Sequence, residues 1–520
     1  MPYIPDFELL PLMAIGYAEL HYHLPWLYPL YHRRQPEIIA DLPHRLALDK
    51  TDFLPLSIII KDADKYPVHL QSITVELLDT CGTCSQEIIE LDIQVNSKWF
   101  SRLLFIDISS YTPNNVVFTN VNFELTCRNK PLMIKNDNFP GLSKKPFCTW
   151  LTKEGLPLPE NWYAGDIHYH SDYTSDQVEF GADISSTVTM AKALGLSWFC
   201  VTDHSYDLDD TIDDFTKNDP ALPKWHDMLK ECNEKDSSEV RIIAGEEVSI
   251  GNNKGKNVHL LALNQKEFID GHGDSAEVWG KNIPQHNLCE IPMYKTPENL
   301  FIAAHPLEKV SLAQKLTLRR GSWSLEDYQQ GDINILQLIN SDEPKKIEKD
   351  ILTWTKYLLQ GKKLFITAGN DAHGNFNIMR QISFPFVTLW ETHKQIFGRW
   401  MTIFESTSND PLPALATGRM IVSNGPFLAF YIHQLEDKWQ MGETCPLRHG
   451  SVNYDARTTP EFGEIDTIYC YRGDLDTGKE FRFPLACPVN IALPANGYIR
   501  MSLLTTKGFT AYTNPIFTSN

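Results

Sequence analysis

The chain has 520 residues, 42% hydrophobic and 22% charged, with a formal net charge of −19 at pH 7. Such a length exceeds one ordinary core, so two or three domains are expected. The acidic balance excludes an extended footprint for DNA, RNA or anionic lipid, which demands clustered Lys and Arg; a small anionic substrate held by metals stays open.

In chain order, MPYIPDFELLPLMAIGYAELHYHLPW has no basic start, carries acids in its apolar part and is broken by prolines, so a signal peptide is not expected. No apolar run reaches the length of a membrane span, and no membrane partner is expected. Across residues 1–155 the runs FLPLSIIIKD, HLQSITVELLD, EIIELDIQV and NVVFTNVNFELTC have strand character and are separated by polar stretches, which predicts an N-terminal β-sandwich-like domain. Within it, CGTC at Cys81 to Cys84 offers a start for a zinc or redox site that Cys127 and Cys148 would have to complete; without a second CxxC a turn is the favoured reading. The ten cysteines otherwise lack framework spacing, which points to free thiols in a reducing, cytoplasmic compartment.

From residue 156 to 430 the rhythm becomes strand, helix, strand. DISSTVTMAKALG places Ile184, Val188 and Ala191 at helical spacing and stops at Gly195; LSWFCVTDH follows as a buried strand. EKDILTWTKYLLQGKK aligns Ile347, Ile351, Trp354 and Leu358, with Gly361 as the stop, before the strand KLFITAGNDAHG. Further strands fit VRIIAGEEVS, NVHLLALN, NLFIAAHP and INILQLIN, and the alternation predicts a parallel sheet, doubly wound or closed as a barrel. Residues 431–520 return to short strands and predict a C-terminal β domain.

Histidines and carboxylates gather where the predicted strands run out: Asp166, His168 and His170 in GDIHYH, Asp203 and His204 in VTDH, Glu246 and Glu247 in AGEEVS, His305 in AAHP, and Asp371 and His373 in GNDAHG. In α/β folds the loops beyond the carboxyl ends of strands converge on one site. Alternation points His168 and His170 to the same side of their strand. Imidazole and carboxylate together suit zinc, manganese or iron, and either glutamate of GEE is available to bridge two ions. A second HYH, at His21 and His23, has no carboxylate close behind it and reads as packing. His226, His272, His286, His393, His433 and His449 lack strand-end context and read the same way.

The ordered series DIHYHSD, TDH, GEE, NVHLLAL, AAHP and NDAH resembles the PHP superfamily, named for polymerase and histidinol phosphatase, over residues 160 to 425. LATGRMIVSNGPFLAF with QMGET, and the ending GFTAYTNPIF, resemble the branch that includes carbaryl hydrolase. The resemblance implies a distorted (β/α)7 TIM-like barrel with flanking β-sandwich-like domains and two or three divalent metal ions (Zn, Mn or Fe). It assigns His168, His170, Glu247 and Asp371 to a first metal, Glu247, His259 and His305 to a second, and His204, His373 and Asp176 to a third. The choice of Glu247 over Glu246 and the placing of His259, near the start of its strand, rest on the resemblance.

The expected function is hydrolysis of a small-molecule phosphoester by a metal-bridging hydroxide, with His204 or His373 protonating the leaving group and a guanidinium clamping phosphate. Arg380 is the candidate clamp, with Arg319 and Arg320 behind it; Asn424 in SNGPF lines the pocket mouth or makes a turn. The alternatives are a carboxylic or carbamic ester hydrolase with the same metals, and a metal-binding recognition module without catalysis.

Overall fold

Alternating burial organises the first part of the chain. In the computed structural model, which describes residues 35–49, 51–139, 144–175, 180–212, 214–275, 281–340, 342–379, 395–434, 436–446, 449–484 and 489–519, the strand Asn115–Cys127 buries every second side chain along nearly its whole length. It lies in a six-stranded sheet facing a three-stranded one, and Leu56 and Ile58 from one pack with Ile73, Val75 and Phe123 from the other. CGTC forms the tip of a hairpin: the Asp79 N–H donates to Thr83 O at 2.9 Å, and Gly82 takes a φ of 92°. Cys81 and Cys84 are exposed and free.

The central part is an α/β arrangement around a large mixed sheet. Its strands are β1 (Trp162–His170), β2 (Trp198–Val201), β3 (Arg241–Gly251), β4 (Asn257–Leu263), β5 (Leu300–Ala303), β6 (Ile335–Ile339) and β7 (Phe365–Ala368), side by side in that order. Pairs β1–β2, β2–β3, β5–β6 and β6–β7 are parallel. A two-residue strand, β8 (Ala372–His373), leaves the end of β7 and pairs with β1 through His170↔His373, so the sheet curls back towards its beginning.

Helix α1 (Ile184–Leu194) follows β1, capped by Asp183, which accepts from Ser186 N, and ended by Gly195 at a φ of 84°. Helix α2 (Pro223–Lys235) precedes β3, and α3 (Pro344–Leu359) joins β6 to β7. Ile347, Ile351, Trp354 and Leu358 form the buried face of α3, as their spacing predicts.

The uniform alternation expected from sequence fails at β3 to β5. β3 and β4 are antiparallel, as are β4 and β5. The reason is connection length: only the turn between Gly251 and Asn257 separates β3 from β4, too short for a crossover helix. Asn252 organises that turn, its side chain accepting from the N–H groups of Lys254 and Lys256 at 3.0 Å each.

Beyond β1 the sheet continues through β9 (Met401–Glu405) and β10 (Met420–Ser423), then runs unbroken into Thr510–Thr513, Gly497–Thr505, Ile465–Asp474 and Lys479–Pro484. A separate four-stranded sheet is built on Phe427–Gln434. Among the described residues, no helix is long and apolar enough to cross a membrane.

Side chains satisfy the outer edge of β7. Thr402 Oγ1 accepts from Ala368 N at 2.9 Å and donates to Ala368 O at 2.8 Å. Asn514 imitates a strand: its Oδ1 accepts from Ile366 N at 2.8 Å and its Nδ2 donates to Ile366 O at 3.0 Å. Asn514→Leu should therefore strand two buried backbone groups and lower stability by roughly 2–5 kcal/mol. A urea midpoint that falls at constant slope is the expected reading.

Candidate metal centre

Pleat alternation puts His168 and His170 on one side of β1, while Tyr169 packs against Phe199 and Phe397 on the other. Both histidines are fully buried, with their Nε2 atoms 3.0 Å apart. Each of these atoms lies 3.3 Å from Glu247 Oε2; Asp371 Oδ1 is 3.3 Å from His168 and 3.1 Å from His170. His204, at the end of β2, brings Nδ1 to 3.1 Å from the same Glu247 oxygen. On the other carboxylate oxygen, His259 Nδ1 is 2.5 Å away and His305 Nε2 3.0 Å. The His373 ring stacks on His170 with centroids 4.0 Å apart.

The hairpin explains His259. Because β4 runs antiparallel to β3, its first residues lie beside the carboxyl end of β3, with His259 opposite Ser249. Alternation also separates the two glutamates of GEE. Glu247 faces the histidines, whereas Glu246 accepts from Ser205 Oγ and from Ile269 N, both at 3.0 Å. Burial pushes Glu246 well above the ordinary carboxylate range. Burial would raise Glu247 too, but the His259, His168 and His204 charges overcome it and hold Glu247 well below that range.

Neighbouring side chains fix the inner ring. Gln337 Nε2 donates to Gly369 O at 3.0 Å, which turns Oε1 towards His168 Nδ1 at 2.8 Å. His168 then carries its proton on Nδ1 and offers the Nε2 lone pair to the centre. Thr174 Oγ1 lies 3.3 Å from His170 Nδ1, and Gln395 Nε2 donates to Asp371 Oδ2 at 2.9 Å. Asp203 accepts from Ser171 N at 2.7 Å and Thr174 N at 3.1 Å, anchoring the turn after the HxH pair. Asp166 accepts from Asn370 Nδ2 at 2.6 Å and Gly398 N at 2.9 Å; desolvation raises it to about 6.

Lone pairs here converge on lone pairs. Glu247 Oε2 is buried without a hydrogen bond although three imidazole nitrogens surround it. Three overlapping groups have ligand atoms within 4.8 Å of one another: His168, His170, Glu247 and Asp371; His204, Glu247 and His259; and His170, His204 and His373. A donor set of imidazole nitrogen and carboxylate oxygen without thiolate fits divalent transition metals. This buried His/Asp/Glu cluster is consistent with a multi-metal centre, and it supports a metal-dependent hydrolytic enzyme in general terms.

Asp274 and Arg320 extend the centre. His259 Nε2 lies 3.1 Å from Asp274 Oδ2, and Arg320 Nη1 donates to the same Asp274 oxygen beside the His259 ring. Burial and the Arg320 charge push His259 down, but Glu247 and Asp274 outweigh them and raise it to about 9. A cleft lined by His259, His305, Arg320 and Trp323 opens beside these residues.

The structure thus brings together His168, His170, His204, Glu247, His259, His305, Asp371 and His373. Asp176 and Arg380, like His21, His23 and His393, lie outside the described residues. Asn424 makes a turn contact, its Oδ1 accepting from Thr510 N at 2.8 Å. Sequence reasoning passed over Gln337, Asp274 and Gln395; a lone amide in the apolar run ILQLI was the available signal for the first.

No family model and no curated protein matches the chain. Solved structures similar to it include a β-glucuronidase from Parabacteroides merdae, at 9% identity over 94% of this chain and 64% of that one, with a TM-score of 0.18. A glycosyl hydrolase family 2 member from Bacteroides cellulosilyticus has 9% identity over 93% and 63%, with a TM-score of 0.20. The chain therefore spans just under two thirds of the length of these two.

Gln337→Leu should weaken metal binding by about 10- to 100-fold with the fold intact, and Gln337→Glu, which keeps an acceptor towards His168, should recover much of it. Competition against a chromophoric chelator reads both.

Proposed function

We propose that the chain is a PHP-type hydrolase acting on a small-molecule phosphoester, its barrel formed by residues 156–430 between β domains at 1–155 and 431–520. Glu247 carries this reading: one oxygen faces His168, His170 and His204, and the other faces His259 and His305. The return of β8 to β1 supports a distorted (β/α)7 barrel.

Two ions would be held by His168, His170, Glu247 and Asp371, and by Glu247, His259 and His305; a third would take His204, His373 and Asp176. Bound zinc, manganese or iron supplies Lewis acidity and a nucleophilic water near neutral pH. The chain's own residues do the rest. Asp371 and Glu247 retain positive charge at the reacting centre, and Gln337 keeps His168 in one tautomer. His204 or His373 delivers a proton to the leaving oxygen. Arg320, half-buried beside His259, is a better placed anion clamp than its neighbour Arg319. The free described cysteines support a reducing, cytoplasmic setting.

One observation favours a carboxylic or carbamic ester instead: Asp274 already engages the Arg320 guanidinium and cancels part of its charge. Protein purified without chelator should carry two or more transition-metal ions per chain and hydrolyse p-nitrophenyl phosphate. His168→Ala and Asp371→Ala should lose ions and turnover together. Turnover of p-nitrophenyl acetate alone would select the ester reading, and a wild type that cannot be loaded with metal would remove both.

Arg320→Met separates the substrates further. It should raise KM for the phosphate ester about 10- to 100-fold, the equivalent of ~1.5–3 kcal/mol for a charge-assisted hydrogen bond, and leave the acetate unchanged at equal metal content.

A further inference from the structure

A second cluster sits on the segment that delivers Asp274. Residues 269–274, IDGHGD, run along the end of β3: Ile269 N donates to Glu246, His272 bridges to Ser249, and Asp274 reaches His259. Two glycines let this segment lie flat. A Cβ at Gly271 would come within 2.8 Å of Val248 Cγ1, and one at Gly273 would overlap the Asn257 side chain.

Between those contacts Asp270 and His272 turn towards Asp209, which follows the short helix Ser205–Leu208. His272 Nε2 is 2.6 Å from Asp209 Oδ2, 3.0 Å from Asp270 Oδ1 and 2.9 Å from Asn218 Nδ2. A single ring nitrogen bears at most one proton, so it cannot satisfy both carboxylates, while the Asn218 amide donates to Asp209 Oδ2 at 2.7 Å. The Asp209 side chain is only 9% exposed, and its Oδ1 has no hydrogen-bond partner; nor has the buried Oδ1 of Asp270. Ligand atoms of Asp209, Asp270 and His272 all lie within 4.8 Å of one another. None of the three belongs to the set around Glu247.

We propose that Asp209, Asp270 and His272 form a separate site for a divalent transition-metal ion. The imidazole favours zinc, manganese or iron over calcium or magnesium. An ion there ties residues 269–274 to the segment after His204, and so fixes Asp274 and the His259 ring it holds. The role is positional, and the site stands whether or not the Glu247 centre is catalytic.

The test uses the full chain carrying His168→Ala and Asp371→Ala, stripped with chelator, checked by circular dichroism and titrated calorimetrically with ZnCl2 and with MnCl2. The expected result is an ion whose binding survives these two substitutions, weakens at least about tenfold with Asp270→Asn and disappears with His272→Ala. Binding of neither metal, or binding that Asp270→Asn and His272→Ala leave unchanged, overturns the proposal. Should the double variant fail to fold, elemental analysis of the otherwise wild-type chain decides. Asp270→Asn, at a half-exposed side chain, should then purify with one ion fewer per chain, and an equal count refutes the site. Failure of the Glu247 centre reads differently, because its ions would be missing from the wild-type chain while the ion at His272 remained.

Discussion

The Glu247 carboxylate is 1% exposed, and most of the central architecture follows from having to satisfy it. An isolated buried carboxylate is costly enough that it normally takes up a proton. Glu247 does the opposite because five imidazoles surround it, and its two oxygens divide them between two sides. Histidines at such distances are in turn acceptable only beside negative charge or a cation. Carboxylate and imidazoles stabilise one another's burial, and a chain folding around one of them must deliver all of them.

Topology makes that delivery. Parallel strands β1, β2 and β3 bring their carboxyl ends to one side, as do β5 to β7. A strictly alternating arrangement would put the start of β4 at the opposite end, far from the others. Reversing β4 as a hairpin arm instead brings His259 alongside Ser249, so the departure from regular alternation contributes a ligand that regular alternation would lose.

Those strand ends were legible in the sequence because each histidine and acid follows an apolar run, and a run of that kind is read without knowing its neighbours. The HxH spacing shows its meaning through pleat alternation alone. The direction of β4 was not read, although the short polar stretch GNNKGK already excluded a crossover helix. Glu246 and Glu247 could not be separated on composition, since alternation says that they face opposite sides but not which side holds the metals. Asp274 was passed over, and Arg320 was named only behind Arg380, for a different reason: both lie in irregular segments whose position depends on long-range contacts, and an arginine next to another arginine resembles solvated surface. His272 was set aside for want of a strand end, yet it lies against Ser249 because of the glycines on either side of it.

Backbone conformation shows how tightly the centre is determined. Asp371 has a φ of 52° and His305 a φ of 28°, left-handed values that cost non-glycine residues about 1–3 kcal/mol each unless their surroundings hold them. For Asp371 the restraints are visible in GND itself. A Cβ at Gly369 would come within 2.9 Å of His168 Cβ, so glycine lets β7 close against β1. Asn370 is pinned by Asp166 and by the Trp400 backbone, at 2.6 and 2.8 Å, and the Asp371 N–H donates to His168 O at 3.0 Å. The strain at Asp371 is thus imposed from both sides by bonds to β1, the same strand that presents His168 and His170. Loosening any one of them would move the carboxylate relative to the two imidazoles it faces, and for that reason three consecutive residues with no apolar side chain are buried or nearly so at the end of β7.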